Sequence, residues 1–452
     1  PFYGGALGAP QMASFDPLPS RDTQLFESSG VWLQEKGAQD RESVPTVTED
    51  EWIFEDGVYD LTDFVEKHPG SPEWIQLTRG SDITDYVMTH HLDVDKIRRI
   101  LAKYHLRDVE RVRPRPFSYE EDGFYLTLKR RVAAVLPDTN GTPQFLLLCR
   151  LTLLGWGLCY AGAVLCDSLA LAVLGGVLLH VLFGIGHNFF HRRNTWWRYC
   201  TDLCLFSHHE WRITHALSHH HYPNTNIDIE VSLLEPFVLF MTNKPRSNPL
   251  VYVYGIPLFA VAGALEFVVR LVRTCVGKAS FRWDLLVPLL QLAPAVWLLG
   301  WGRGSVVFFT MQFTCSLLMI GLSTLVHRSE YAWTEGDPPT AAATALPAEE
   351  GAQPPPLDWG LHLVQATSDH TMGASLFTSL FVFALFNNHV LHHLFPTVDM
   401  SQLREPVVLR TFFGTLKEFH VPYNPRSLVA LVWGGCPGGC ARSRYVGQGA
   451  PL

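Results

Sequence analysis

Apolar residues are spread unevenly along the chain. Up to about residue 140 they alternate with polar ones, and beyond it they gather into long runs. Phe145–Cys166 and Ser168–Gly186 are each about 20 residues, the length a helix needs to cross the hydrocarbon core of a bilayer. Only Asp167 separates them, so the pattern predicts a tight helical hairpin. Three more runs follow, Val251–Leu271, Leu285–Trp301 and Ser305–Val326. Pro257, Glu266 and Arg270 interrupt the first, as expected of an interfacial or re-entrant stretch. The other two form a second hairpin turning at Gly302 and Arg303, which makes four transmembrane helices. Lys129, Arg130 and Arg131 precede the first hairpin and Arg192, Arg193 and Arg198 follow it, while its tip carries no basic residue. The positive-inside rule then places both flanks in the cytosol.

The rest of the chain divides by composition. Residues 1–28 are polar and contain Pro and Gly, a pattern expected to be disordered; the chain opens on Pro1, and Met12 is a second possible start. Residues 29–110 read as a compact α+β domain, with short strands at Trp52-Ile-Phe and Val58–Thr62 around the Glu55-Asp56-Gly57 turn. Residues 111–140 form a basic, Pro-containing linker, and 141–425 the all-α membrane domain with a histidine-rich cap. Within it, residues 334–356 are low-complexity and expected to be mobile. A flexible Gly/Pro-rich tail, 426–452, contains Cys436 and Cys440 without further ligands nearby.

Composition supports this division. Of 452 residues, 47% are hydrophobic and only 17% charged, against about a quarter charged in ordinary soluble domains. A net charge of −8 gives no reason to expect a nucleic-acid partner. The nine cysteines fall mostly in apolar segments and read as buried reduced thiols. No apolar stretch typical of a cleavable signal occurs in the first 40 residues. Asn140-Gly-Thr142 resembles a glycosylation acceptor on the side predicted to be cytosolic.

The candidate chemistry lies in three histidine clusters at ends of the apolar runs: His187 and His191; His215, His219 and His220; His389, His392 and His393. Spacings of three and four place rings on one helix face, and neutral imidazole is the commonest protein ligand for transition metals. No Glu-x-x-His pairing of the soluble di-iron type accompanies them. His327, after an apolar run, is a possible additional ligand. So is His180, seven residues before His187 on the same face of a membrane helix. His221 is expected to point away from the His219-His220 pair. His208 and His209 read as supporting or surface residues. His105, His362, His370 and His420 read as surface or loop histidines, with Asp369-His370 and Asn388 candidates to support the ligands.

A separate signature occupies the N-terminal domain. Val58-Tyr-Asp-Leu-Thr-Asp-Phe-Val-Glu-Lys-His68-Pro-Gly-Ser resembles the haem loop of the cytochrome b5 family, with Ser71 where the family's turn ends in Gly. Gly80-Ser-Asp82-Ile-Thr84 then leads to His90-His91. The resemblance implies haem b held by two axial imidazoles, His68 and His91, with His90 the alternative. Such ligation leaves no open iron position and suits electron transfer. The histidine boxes, with His389-Val-Leu-His392-His393-Leu-Phe-Pro, resemble the membrane fatty-acid desaturase and hydroxylase family. Fused to the haem domain and with His187-Asn-Phe-Phe-His191-Arg-Arg, they look most like its animal cytochrome b5-related branch. The match runs from about residue 50 to 425.

That resemblance implies two non-haem irons held by the eight box histidines and O₂ as co-substrate. It also implies electrons from an NAD(P)H-dependent cytochrome b5 reductase, a lipid acyl substrate and the endoplasmic reticulum membrane. Two alternatives keep parts of the pattern: a lipid hydroxylase on the same irons, and a membrane-anchored b-type haem protein whose iron site has degenerated. Two departures bear on the branch. Front-end desaturases begin the third box with Gln where this chain has His389. They also place two residues, not three, between the first histidine of the second box and its pair.

Overall fold

The computed structural model describes residues 15–18, 29–136, 142–232, 234–235, 237–239, 250–329, 332–337, 356–423 and 425–434. Asn140 and Gly141, Cys436 and Cys440, and most of the 334–356 and 426–452 segments lie outside these residues.

In the N-terminal domain, strands Trp52–Phe54, Gly57–Tyr59 and His105–Asp108 form an antiparallel three-stranded sheet in chain order. Trp52, Phe54 and Leu61 are buried against the short helices that follow. Helix Thr84–His90 carries one candidate haem ligand to its end and leaves His91 just beyond it.

Two segments expected to be loose are built into the core. Phe15 is buried between the rings of Phe117 and Tyr222, and its N–H donates to Glu335 Oε1 (3.1 Å). Within the predicted 111–140 linker, Phe124–Val135 is a helix whose Phe124, Leu128 and Val132, at spacings of four, are buried on one face. Lys129 on that helix is buried, donates to the Met88 carbonyl and lies over the Tyr125 ring. An apolar stripe at helical spacing outweighs the basic composition of the segment.

The helical domain is built on two hairpins. Helices Pro143–Leu165 and Leu169–Phe190 turn at Asp167. The stretch Leu286–His327 breaks at Gly300, whose φ of 75° reverses the chain. Its two arms then pack so closely that a Cβ on Gly304 would lie 2.4 Å from the Ala295 carbonyl oxygen. Arg303 bonds Asp167 and so ties the two hairpin tips together. Trp297 and Trp301 are exposed near those tips, where amphipathic rings mark a membrane–water boundary. Leu147, Leu151, Leu154 and Leu158 form an exposed stripe along the first helix, as a lipid-facing side requires. Inside the bundle, Gly176 lets helix 169–190 pass against the second hairpin; a Cβ there would meet the Met311 carbonyl oxygen at 2.5 Å.

Among the described residues, four stretches are long and apolar enough to cross a membrane: 143–165, 169–190, 253–275 and the hairpin 283–327. The third, which the sequence marks as interfacial or re-entrant, is one unbroken helix, Val251–Cys275. Pro257, in its second turn, removes the one ladder bond to the Val253 carbonyl, and Arg270 is paired with Asp284 (3.1 Å) and donates to the Leu205 carbonyl (2.8 Å).

The two domains share one hydrophobic cluster. Polar bonds pin them as well. Tyr222 Oη donates to Asp85 (2.9 Å), Trp32 Nε1 to the Ile227 carbonyl (2.9 Å), and Glu73 accepts from Arg212.

Candidate metal centre and haem cavity

Where the hairpins open, the three boxes meet. Imidazole nitrogens of His187, His191, His215, His220 and His392 lie within 4.8 Å of one another, and those of His219, His327 and His393 form a second such group. Within the first, Nε2 of His187 is 2.8 Å from that of His215 and 3.0 Å from that of His392. Within the second, Nε2 of His327 is 3.2 Å from both His219 and His393. All eight side chains are buried.

The local structure explains the sorting. Adjacent residues on a helix point about 100° apart. Each His-His pair therefore straddles the two groups, His219 with His220 and His392 with His393. Arg212–His219 is a π-helix, and the His220 N–H bonds the His215 carbonyl five residues back (2.8 Å). That wider turn brings His215 and His220 onto one face, with Nε2 atoms 3.0 Å apart. π-turns concentrate at functional sites, and this one accounts for the extra residue in the second box.

The donor set suits a transition metal. Burial, reinforced by the neighbouring rings, pushes His220, His392 and His393 well below the usual imidazole range, which leaves neutral lone pairs converging. The Nδ1 atoms of His191, His220, His392 and His393 have no hydrogen-bond partner among the described residues. Two others are held from behind. His215 Nδ1 donates to Glu230 (2.8 Å) and His219 Nδ1 to Asp228 (2.9 Å), the carboxylate–histidine arrangement that orients metal-bound imidazoles. These acidic residues carry no box spacing and were invisible in the sequence; only their following the second box at a short distance could have suggested them.

The other histidines separate clearly. His327 joins the second group. His389, first residue of its box, lies beside both groups, with its ring 4.7 Å from those of His327 and His393, yet belongs to neither. Its backbone N–H is held by Asp369, which also anchors Val390 N–H (3.0 Å) and Tyr423 Oη (2.6 Å). His180 is buried one stretch deeper in helix 169–190 and falls in neither group. His362 and His370, expected at the surface, are buried; His362 Nε2 donates to the Pro223 carbonyl (3.1 Å) beneath the Trp333 ring (5.5 Å). His208 is buried on Asp202, whereas His105 and His420 are exposed.

Beside this centre lies a cavity of about 400 Å³ lined by His68, Gly70, Val87 and His91. The rings of His68 and His91 face one another at 6.2 Å, a span that fits two imidazoles on one iron when each metal–nitrogen bond is about 2 Å. Each Nδ1 donates to a backbone carbonyl, His68 to Ser71 (2.9 Å) and His91 to Val87 (3.3 Å), so each Nε2 is left for a metal. A Cβ on Gly70 would lie 2.8 Å from the His68 ring, which explains the glycine there. Ser71, the departure from the motif, uses its hydroxyl to accept from Glu73 N–H (3.2 Å) and from Asn194 Nδ2 (3.0 Å) of the helical domain. His90 also lines this cavity, its Nδ1 donating to the Tyr86 carbonyl (3.2 Å). It stacks on His221 (5.2 Å, 16°), while Thr89 Oγ1 lies 2.8 Å from His221 Nε2. His221 thus faces the N-terminal domain, away from the metal groups.

Residues 167–427 match the model of the family described as fatty acid desaturase, and residues 45–110 that of the cytochrome b5-like heme/steroid binding domain. The chain belongs to the fatty acid desaturase family. Its members are oxidoreductases acting on fatty acyl chains. Among relatives of this desaturase is the "Cytochrome b5-related protein" of Drosophila melanogaster, 33% identical over 81% of this chain and 83% of its own. The "Probable Delta(5) fatty acid desaturase C" of Dictyostelium discoideum is 25% identical over 82% of this chain and 87% of its own. The "Acyl-lipid (8-3)-desaturase" of Mortierella alpina is 26% identical over 81% and 87%. No solved structure matches the desaturase. The two family-model matches cover the haem signature and the three histidine boxes.

Proposed function

We propose that the chain introduces a double bond into a membrane lipid acyl chain, with two irons held by the histidine groups and electrons supplied through its own haem. The observation that carries this reading is the sorting of eight buried histidines into two convergent groups beside a cavity. That cavity, about 120 Å³, touches both groups through His215 and His327; Phe206, Met319, Ile320 and Phe386 give it apolar wall, and Glu210, Glu266, Arg270 and Arg328 charged wall. The apolar part of that wall is suited to a hydrocarbon segment beside the histidine groups.

His187, His191, His215, His220 and His392 would hold one iron, and His219, His327 and His393 the other. Bound iron supplies the activation of O₂ toward an unreactive C–H bond. Asp228 and Glu230 hold the ligand rings in the tautomer that leaves Nε2 free. His68 and His91 would hold haem b, reduced by an NAD(P)H-dependent reductase.

Topology follows from the same contacts. The box histidines and His327 sit together at one end of both hairpins, and the tips sit together at the other. An even number of crossings therefore separates His220 from His327. The Leu286–His327 hairpin provides two, so helix 251–275 lies along the membrane boundary. Exposed Arg130 and Arg193 at the histidine end favour a cytosolic position there, in the endoplasmic reticulum membrane.

The test is metal analysis of purified protein together with mass spectrometry of lipids from cells that express it. The expected result is two non-haem irons per haem and products lighter by two hydrogens. Products heavier by one oxygen would establish a hydroxylase instead. Haem without non-haem iron would refute the reading. His392→Ala should abolish turnover and leave the haem spectrum intact, whereas His68→Ala should remove that spectrum.

A further inference from the structure

The haem cavity is not closed by the N-terminal domain alone. Part of its wall is made by Phe189, Arg192, Arg193, Thr195, Leu217 and Thr397 of the desaturase domain, Arg193 being solvent-exposed. Arg192 stands out among them. Its side chain is only 9% exposed, one terminal nitrogen lies 2.7 Å from Asp399, its guanidinium lies over the Phe189 ring (5.1 Å), and its Nε has no hydrogen-bond acceptor among the described residues. A buried guanidinium N–H facing a cavity without an acceptor is costly. Haem b carries carboxylate groups at its porphyrin edge, and the planar guanidinium fork is the side chain best matched to a carboxylate.

We propose that Arg192 is a haem-binding residue, taking a haem carboxylate from across the domain boundary. The cofactor is then held jointly, its axial ligands from one domain and its acidic edge from the other. This assignment rests on the reading of His68 and His91 as haem ligands. It also has a consequence for the chemistry. Arg192 directly follows His191, so the haem edge is anchored one residue from a ligand of the larger histidine group. A purely architectural role is the competing account, because Asp399 also accepts from Asn188 Nδ2 (3.0 Å), whose Oδ1 accepts from Met400 N–H (2.9 Å).

The experiment uses full-length, haem-loaded protein and compares Arg192→Gln, Arg192→Lys and Asp399→Asn. Two quantities are read, haem transfer to apomyoglobin and the haem midpoint potential by spectroelectrochemistry. A neighbouring cation favours the reduced haem, which carries one more electron. Arg192→Gln should therefore lower the midpoint potential and speed haem release by about tenfold to a hundredfold, the loss of one charged hydrogen bond. Arg192→Lys should restore part of both. Asp399→Asn leaves the guanidinium in place and should not lower the potential. The proposal is overturned if Arg192→Gln changes neither quantity, or if Asp399→Asn reproduces its lowered potential and faster release. If wild-type protein binds no haem, the ligand assignment itself fails; haem that is bound but indifferent to Arg192 refutes only the proposal.

Discussion

Asp228 is fully buried beneath the second histidine box and has a partner on every side. Oδ2 accepts from His219 Nδ1 (2.9 Å) and from Asn224 N–H (2.9 Å), Oδ1 accepts from Glu230 N–H (3.0 Å), and Arg328 stands 3.6 Å away. Burial alone would raise its pKa, but His219, Arg328 and these N–H donors together hold it well below the usual carboxylate range. Asp228→Asn keeps the shape and replaces one acceptor oxygen with a donor. With the amide nitrogen on the Oδ2 side, two N–H groups face a donor; with the amide reversed, one does. Each buried donor left unpaired costs about 1–3 kcal/mol. The lower bound is therefore about 1–3 kcal/mol of stability, and with both clashes about 2–6 kcal/mol. His219 also loses the acceptor that orients it, which typically costs ten- to a hundredfold in metal affinity. Thermal melts report the first effect, and iron retention against a graded chelator series reports the second. A variant that melts within half a degree of wild type and holds both irons as tightly would refute the orienting role of Asp228.

Other expectations follow from single contacts. Glu73 joins the domains through His209 (2.5 Å) and Arg212, and although its burial opposes ionisation these partners bring its pKa down to about 2 from 4.5. Its folded pKa being depressed, its contribution is present above pH 4.5 and is lost as pH falls toward 2; melting temperature followed over that window should fall less steeply in Glu73→Gln. Lys129 differs in that its charged form is the one disfavoured: burial lowers it to about 7 from 10.5, and wild type gains stability as pH rises between those values. Lys129→Met should therefore melt higher than wild type at pH 6, with an advantage that shrinks by pH 10; a constant gap would show that the lysine is not desolvated. Gly176→Leu should prevent the first and second hairpins from packing and strip the protein from the folded membrane fraction, as size-exclusion profiles in detergent would report.

The periodicity of apolar residues determined the two hairpins, and the histidine spacings determined which residues could be ligands, because both depend on local helical geometry alone. His68-Pro-Gly and the Gly80–Thr84 segment marked the haem loop for the same reason. Partition of the ligands was different. Adjacent histidines diverge around a helix, and a π-turn at Arg212–His219 resets the phase of the second box. Only packing of the helices on one another decides that His219 and His393 meet His327, and that His389 remains outside both groups. Composition also misled where burial depends on distant partners. Phe124–Val135 looked like a basic linker, yet it fills the junction between the domains, and His362 and His370 are buried rather than at the surface. The surroundings of His90 and His91 were likewise tertiary: both line the cavity, but the His91 ring lies 6.2 Å from that of His68 while the His90 ring stacks on His221. Sequence thus set the chemistry available at each position, while contacts between segments more than a hundred residues apart decided which groups share a site.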